Sequence, residues 1–467
     1  MSTKTSKHVS RRDMLKAMGF FAGSAALAAC APATTVAPTK VPEATKPAEP
    51  TPTVQKKIEG KVVVMHFRHE FNEDMEKQIA ADYPGVTTEF ADASDLTRLY
   101  AMLAAGTPPD LVRVQAPSIP GMLARKLLFD LTPYFQNSKV LKLDDLMPAN
   151  DYYKAESPLK IGTGKIYGMC KDFSPDFTIY ANKQAFTDAG AAVPDDTKAL
   201  TYAEVMDLSK KVAKFEGDRT LMFGYGYEAG WIDRIWMNML AEKEISLYTA
   251  GYEKIVLSGN EETKNVVKWY YDMAKEKLAA SPINPSPAGW FGTDFTAGQL
   301  AMAQYGFWYS AMADADKVQG NAMMLPGPTW SGVRRDPTMT ATGMIMISKT
   351  QIPDAAWLVF EYYNGGKPSV DRAGSGWGVP ALKSQLNLVP QGTDFQKQAF
   401  KVLNGELDLK TPPMQFNPFI GESEVSASWA KNLDECLRGN IDFDTMLKRI
   451  ETEVNTSIKE GIDRIVG

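Results

Sequence analysis

The chain has 467 residues, 44% hydrophobic and 23% charged, the composition of an ordinary globular protein with length enough for two or three domains. Its 51 basic and 56 acidic residues give a net charge of −5, and without residues 1–29 the balance is 46 against 55, near −9. Such a chain repels phosphate backbones, which argues against a nucleic-acid partner, and no run reaches the ~18 apolar residues of a spanning helix.

Residues 1–30 have the three parts of an export signal: a basic stretch ending at Arg12, an apolar stretch from Met18 to Leu27, and small residues before Cys30. Ser10-Arg11-Arg12-Asp13-Met14-Leu15-Lys16 resembles a twin-arginine signal, with Met14 at its usual Phe position. Leu27-Ala28-Ala29-Cys30 resembles the bacterial lipobox, whose cysteine is lipidated and becomes the new N-terminus. These resemblances imply an exported protein, lipid-anchored through Cys30 at the outer face of the cell membrane. Residues 31–57 hold six Pro, six Thr and five Ala with no aromatic residue or Leu, and read as a disordered tether. The globular part is expected from Ile58 onward. With Cys30 acylated, Cys170 and Cys436 remain, far apart and without CxxC spacing. They read as two isolated buried thiols, with pairing in an oxidising compartment as the alternative.

Residues 58–67 (IEGKVVVMHF) predict a buried strand. Asn72 can cap a helix through Gln78 and Ala81, Pro84-Gly85 stops it, and residues 86–90 predict a second strand. Residues 96–105 read as helix and 110–114 as strand again. This alternation argues for an α/β fold with a mainly parallel sheet. Ligands of such sheets sit beyond the carboxyl ends of strands, which directs attention to residues 66–71 and 113–117. Further along, residues 202–215, 261–277 and 295–303 show helical spacing, and 443–465 form an amphipathic stretch.

Catalytic signals are sparse. Of three histidines, His66 and His69 fall at a strand end without an HExxH pattern, and read as loop residues near a ligand rather than as a metal site. The run 224–230 (GYGYEAG) is a loosened dinucleotide fingerprint with the wrong spacing, and a tight aromatic loop is the better reading. No cofactor is expected. Aromatics are more informative. Trp231, Trp290, Trp308, Trp330 and Trp377 lie beside Gly or Pro or at loop edges, whereas Trp236, Trp269, Trp357 and Trp429 sit within helical patterns and predict core. An indole stacks on the C–H face of a sugar ring while polar neighbours bind its hydroxyls.

Five segments together resemble the extracellular solute-binding proteins of ABC importers, in the carbohydrate-binding family that includes maltodextrin-binding protein. They are Gly106-Thr107-Pro108-Pro109-Asp110 with Leu127-Leu128-Phe129-Asp130-Leu131-Thr132-Pro133-Tyr134; Gly164-Lys165-Ile166-Tyr167-Gly168 with Tyr180-Ala181-Asn182-Lys183; the run 295–302 (FTAGQLAM) with Gly306-Phe307-Trp308; Asp354-Ala355-Ala356-Trp357 with Phe360-Glu361-Tyr362-Tyr363; and Gly376-Trp377-Gly378-Val379-Pro380. The chain departs from the family pattern at Cys170, where Pro is frequent, and at Val114, where an aromatic is.

The resemblance implies a two-lobed periplasmic-binding-protein-like fold with a hinge, each lobe a mainly parallel sheet flanked by helices. The first lobe would be 58–172 plus 341–385 and the second 173–340 plus 386–467. It implies a monomeric sugar or oligosaccharide receptor that delivers its ligand to an ABC permease without catalysis. Candidate ligand residues are Trp308, Trp231 and Trp377, with Phe67, Arg68, Gln115 and Asp172 from strand ends and crossings. A non-sugar solute (glycerol phosphate, a polyamine or an iron chelate) is the alternative, kept open by Arg68, Arg113, Arg334 and Arg335. A surface glycoside hydrolase is the other.

Overall fold

The computed structural model describes residues 57–94 and 97–466. The export signal, Cys30 and the tether up to Lys56 lie outside them. The strands, in chain order, are β1 (Gly60–His66), β2 (Val86–Asp92), β3 (Leu111–Val114), the hairpin β4 (Lys154–Ser157) and β5 (Lys160–Ile166), β6 (Gly168–Cys170), β7 (Asp172–Phe173), β8 (Ile179–Asn182), β9 (Lys214–Glu216), β10 (Arg219–Gly226), β11 (Leu300–Gln304), β12 (Ala322–Leu325), β13 (Gly343–Met346) and β14 (Val379–Pro380). Ten of them build two five-stranded sheets, β2-β1-β3-β13-β6 and β12-β8-β11-β10-β9, and β4–β5 and β7–β14 form separate two-stranded pairs.

The first sheet follows the order of hydrophobic runs in the sequence. Val62, Val64 and Met65 of β1 are fully buried between β2 and β3, both parallel to it. Asn72 caps helix Glu73–Asp82 by accepting the Met75 N–H at 3.0 Å, which satisfies a donor the first turn leaves unpaired. The sheets are mixed where the sequence predicts mainly parallel pairing. β13 returns antiparallel to β3 and β6, and in the second sheet β10 and β11 are parallel while β8 is antiparallel to both β11 and β12. β13 is antiparallel to its neighbours because the chain leaves the first sheet after β6 through 171–178 and re-enters it through 326–342 at that same end, Gly343 lying opposite Cys170 and Val114.

Residues 295–303, expected to form one helix, divide into the end of helix Phe291–Thr296 and strand β11. Gly298 at φ +70° breaks the helix, and Leu300–Gln304 is buried throughout as a central strand. A short, wholly apolar run cannot be assigned by periodicity alone. The run 224–230 is likewise not a loop throughout, because its first residues end β10. A Cβ on Gly224 would meet the Ser209 backbone at 2.6 Å, so this glycine permits helix Tyr202–Val212 to lie close on the strand.

Three passages link the sheets. β7 in the first pairs with β14 at the start of the third, Asp172 opposite Pro380. The third ends in helix Asp394–Leu407, where Gln398 exchanges hydrogen bonds with the Met324 backbone of β12 at 2.7 and 2.9 Å. Asp176 ties the first passage to the second, accepting from Ser174 Oγ at 2.6 Å, Thr338 Oγ1 at 3.0 Å and the Met339 N–H at 2.6 Å. Burial pushes its pKa up to about 6 against the opposing effect of those hydrogen bonds. Trp236, Trp269, Trp357 and Trp429 are all buried, and Cys170 and Cys436 are buried free thiols.

Candidate functional site

A cavity of about 240 Å³ opens where the strand ends of both sheets meet the passages. Phe67, His69 and Glu70 come from the turn after β1, Arg113 and Gln115 from the end of β3, and Lys171 to Ser174 from the first passage. Trp231 and Trp308 enter from the turns after β10 and β11, and Thr340, Thr342 and Trp377 complete the lining. Six of the seven residues predicted from sequence therefore meet around one cavity.

Arg68 is the exception. After β1 the chain makes one helical turn, in which the Glu70 and Phe71 N–H groups both donate to Phe67 O. Residues three apart share a face of such a turn, so Glu70 joins Phe67 in the cavity and Arg68 turns outward. The Arg68 guanidinium instead sits 3.6 Å from the Phe90 ring centroid and pairs with Glu76 at 3.1 Å. Arg334, also considered from sequence, pairs with Glu406, and neither it nor Arg335 lines this cavity.

Sequence reasoning missed Glu70 and Lys171, which make the floor. Glu70 Oε2 accepts from Arg113 Nε at 2.8 Å, its Oε1 lies 3.2 Å from Lys171 Nζ, and Lys171 donates to Asp172 as well. Two cations and two carboxylates thus compensate one another. Burial penalises the Glu70 charge, but Lys171 and Arg113 outweigh it and hold its pKa at about 2. Burial likewise pulls Lys171 toward neutrality, and the Asp172 and Glu70 carboxylates keep its pKa above the ordinary value. His66, fully buried behind the floor, accepts the Phe67 N–H at Nδ1, and burial lowers its pKa to about 3. It is neutral, so its 3.5 Å approach to Glu70 is not an ion pair. The only hint of this network in the sequence is that its charged residues adjoin strand ends.

Aromatic faces make the walls. Trp308 stands in the turn Phe307–Tyr309, backed by the parallel Trp290 ring at 6.5 Å and by Tyr305 at 5.2 Å. A Cβ on Gly306 would collide with the Asp176 carboxylate, so the turn needs glycine there to press against the passage. Trp377, 41% exposed, lies between Gly376 and Gly378 at φ +76° and +86°, which turn the indole toward Trp308 at a centroid distance of 5.8 Å. On the opposite wall Arg113 covers the Phe67 ring at 4.0 Å and His69 stacks on it at 5.6 Å. Trp330 lies elsewhere, against Tyr202 and with its indole N–H donating to Glu262 at 2.5 Å. Among the described residues no group of side chains could hold a metal ion.

No curated protein matches the chain closely enough to count as a relative. Among solved structures it is similar to an ABC substrate-binding protein from Listeria monocytogenes in complex with cycloalternan, at 18% identity and a TM-score of 0.70, covering 86% of this chain and 99% of that one. It is also similar to the sugar-binding protein MalE from Xanthomonas citri (15% identity, TM-score 0.65, 86% and 98% covered) and to the GacH receptor of Streptomyces glaucescens, solved unliganded and with acarbose (16%, 0.64, 86% and 99%). These likenesses establish a two-lobed binding-protein fold. The family model for bacterial extracellular solute-binding proteins matches residues 69–365, more than half of the chain. With fold and family model in agreement, the chain belongs to the bacterial extracellular solute-binding proteins.

Proposed function

We propose that this protein captures one uncharged sugar or oligosaccharide between two lobes, 58–172 plus 341–385 and 173–340 plus 386–467, and delivers it to an ABC permease. The observation that carries this reading is the pairing of aromatic walls, Trp308, Trp377, Trp231 and Phe67, with a floor whose charges are already compensated. Such a floor offers oriented donors and acceptors to hydroxyl groups and no surplus charge to an anion or a cation. Arg113, which could have gripped a phosphate, is committed to Glu70. The saccharides named with the similar structures, cycloalternan, acarbose and mannotriose, support the same reading.

No catalysis is part of the proposal. A glycoside hydrolase needs one carboxyl held protonated as its general acid, whereas the two carboxylates that line the cavity, Glu70 and Asp172, both sit against cations, Arg113 and Lys171. The protein acts as a monomer anchored by lipid on Cys30, with the Pro-rich segment as a spacer. Closure requires a ligand that favours the closed state, and a sugar touching both lobes does so through several weak contacts.

A thermal-shift screen against neutral saccharides tests the reading, because a ligand at 100 times its dissociation constant stabilises by about 2.7 kcal/mol. Stabilisation by phosphorylated or polycationic solutes with none by neutral sugars would refute it.

A further inference from the structure

Arg334 and Arg335 stand out in the sequence, and the sugar cavity uses neither. Arg334 pairs with Glu406. The Arg335 guanidinium has no hydrogen-bond or ion-pair partner among the described residues, and its Nε is buried. The side chain is partly buried, where an unpaired charge is costly. It lines a second cavity, of about 260 Å³, which shares no residue with the first.

This cavity forms where helix Ile232–Ala241, the loop after it, the second passage and residues 413–415 meet. Among its lining residues Arg335 is the only basic and Glu244, which is exposed, the only acidic one. Asn238, 1% exposed, donates through its Nδ2 to Arg335 O at 3.1 Å, which fixes the orientation of its amide. Its Oδ1 is left buried and without a partner. Ile245, Leu247 and Met414 give the lining an apolar stretch.

Each feature selects a ligand group. The planar guanidinium fork matches a carboxylate in charge and in geometry. A phosphate dianion would keep one charge uncompensated, in a cavity that also holds Glu244. Asn238 Oδ1 accepts only, so it calls for an N–H or O–H on the ligand. The apolar stretch suits a hydrocarbon stem, and the volume lies below the ~300–1,000 Å³ of drug-sized sites, so the occupant is small.

We infer that this cavity is a second binding site, for a small carboxylic acid with an apolar stem and an amino or hydroxyl donor beside its carboxylate, the chemistry of an α-amino or α-hydroxy acid. The carboxylate lies on Arg335 and the donor on Asn238 Oδ1. The site is independent of the sugar reading.

Isothermal titration with four probes of one carbon skeleton tests it: leucine, 2-hydroxy-4-methylpentanoate, 4-methylpentanoate and leucinamide. One or both of the first two should bind, at least about tenfold more tightly than 4-methylpentanoate, which lacks the donor, and leucinamide, which lacks the carboxylate. Binding of leucine assigns an ammonium donor and binding of the hydroxy acid alone a hydroxyl, and either supports the site. Arg335→Gln should weaken that binding about tenfold or more. Ala241→Leu, which fills the cavity and keeps Arg335, should weaken it as well, and preserves the test if Arg335→Gln folds poorly. Trp308→Ala should leave it unchanged. Binding of neither acid, equal binding of all four probes, or unchanged binding in both Arg335→Gln and Ala241→Leu overturns the site. Loss of acid binding in Trp308→Ala with retention in Arg335→Gln places the acid in the sugar cavity and overturns it too.

Discussion

Trp308 and Trp377 stand with ring centroids 5.8 Å apart and planes inclined by 44°, although one follows β11 of the second sheet and the other precedes β14, outside that sheet. Trp308 is braced by Trp290 and Tyr305, whereas Trp377 rests on two left-handed glycines and is 41% exposed. The pair sets a braced indole against an exposed one.

Trp308→Ala should weaken saccharide binding by roughly ten- to a hundredfold, as for a buried aromatic anchor. Trp377→Ala should weaken it as well, and with almost no change in the melting temperature of the free protein, because its indole is half-exposed on a loop. Titration calorimetry and thermal unfolding on the same samples check both. Full affinity in Trp308→Ala would remove it from the site.

Lys171→Met should destabilise the fold by about 3–5 kcal/mol, since it leaves the Glu70 and Asp172 carboxylates buried around an apolar side chain. Urea unfolding near neutral pH measures this. A loss below about 1 kcal/mol would mean that the floor charges are solvated.

The two kinds of carboxylate should respond to pH in opposite directions. Glu70 has its pKa lowered from 4.5 to about 2, so the stability it contributes is present above pH 4.5 and disappears as pH falls toward 2. Glu70→Gln should flatten that part of the acid limb. Asp336 is raised well above 3.8, by burial first and then by the neighbouring Glu406 carboxylate. Its contribution is favourable below pH 3.8 and is lost as pH rises through the folded-state value. Asp336→Asn should therefore stabilise the protein near neutral pH, with the gain vanishing toward acid. Melting temperatures across a pH series decide the sign for each.

Cys30→Ser should release the protein from the membrane fraction into solution, read by fractionation of cells expressing the full chain. Retention in the membrane would defeat the lipid anchor. Cys170 and Cys436 should stay unreactive toward a thiol reagent in the folded protein, because both are buried and burial raises both thiol pKa values. Both should react once urea unfolds the chain.

Small-angle scattering should show compaction when a stabilising saccharide is added. Unchanged scattering at saturation would exclude lobe closure as the binding mechanism.

The alternation of runs from β1 to β3, the Asn72 cap and the core tryptophans within helices were legible from the sequence, because caps and burial periodicity are local. So were Trp308 and Trp377, whose neighbouring glycines mark turns. Strand β11 has no helix-or-strand signature of its own, because an apolar run of a few residues carries no period, and its place between β8 and β10 at the centre of a sheet is set by the fold. That Glu70, and not the predicted Arg68, faces the cleft was hidden for a related reason: which residue of a strand-end turn faces the cleft depends on how that turn winds.

The sequence by itself determined the α/β class, the family resemblance and the aromatic character of the cavity, since each rests on residue type and short-range spacing. Only the tertiary structure decided that Glu70, Arg113, Lys171 and Asp172 form one compensated floor, and that Glu422 bridges Ser118 to Arg234. Glu422 and Ser118 are 304 residues apart in the chain, and their contact exists because the fold brings the loop before helix Glu424–Leu437 against the end of the first sheet. A charge is paired or exposed according to what lies within a few ångströms of it, and a linear pattern does not carry that distance.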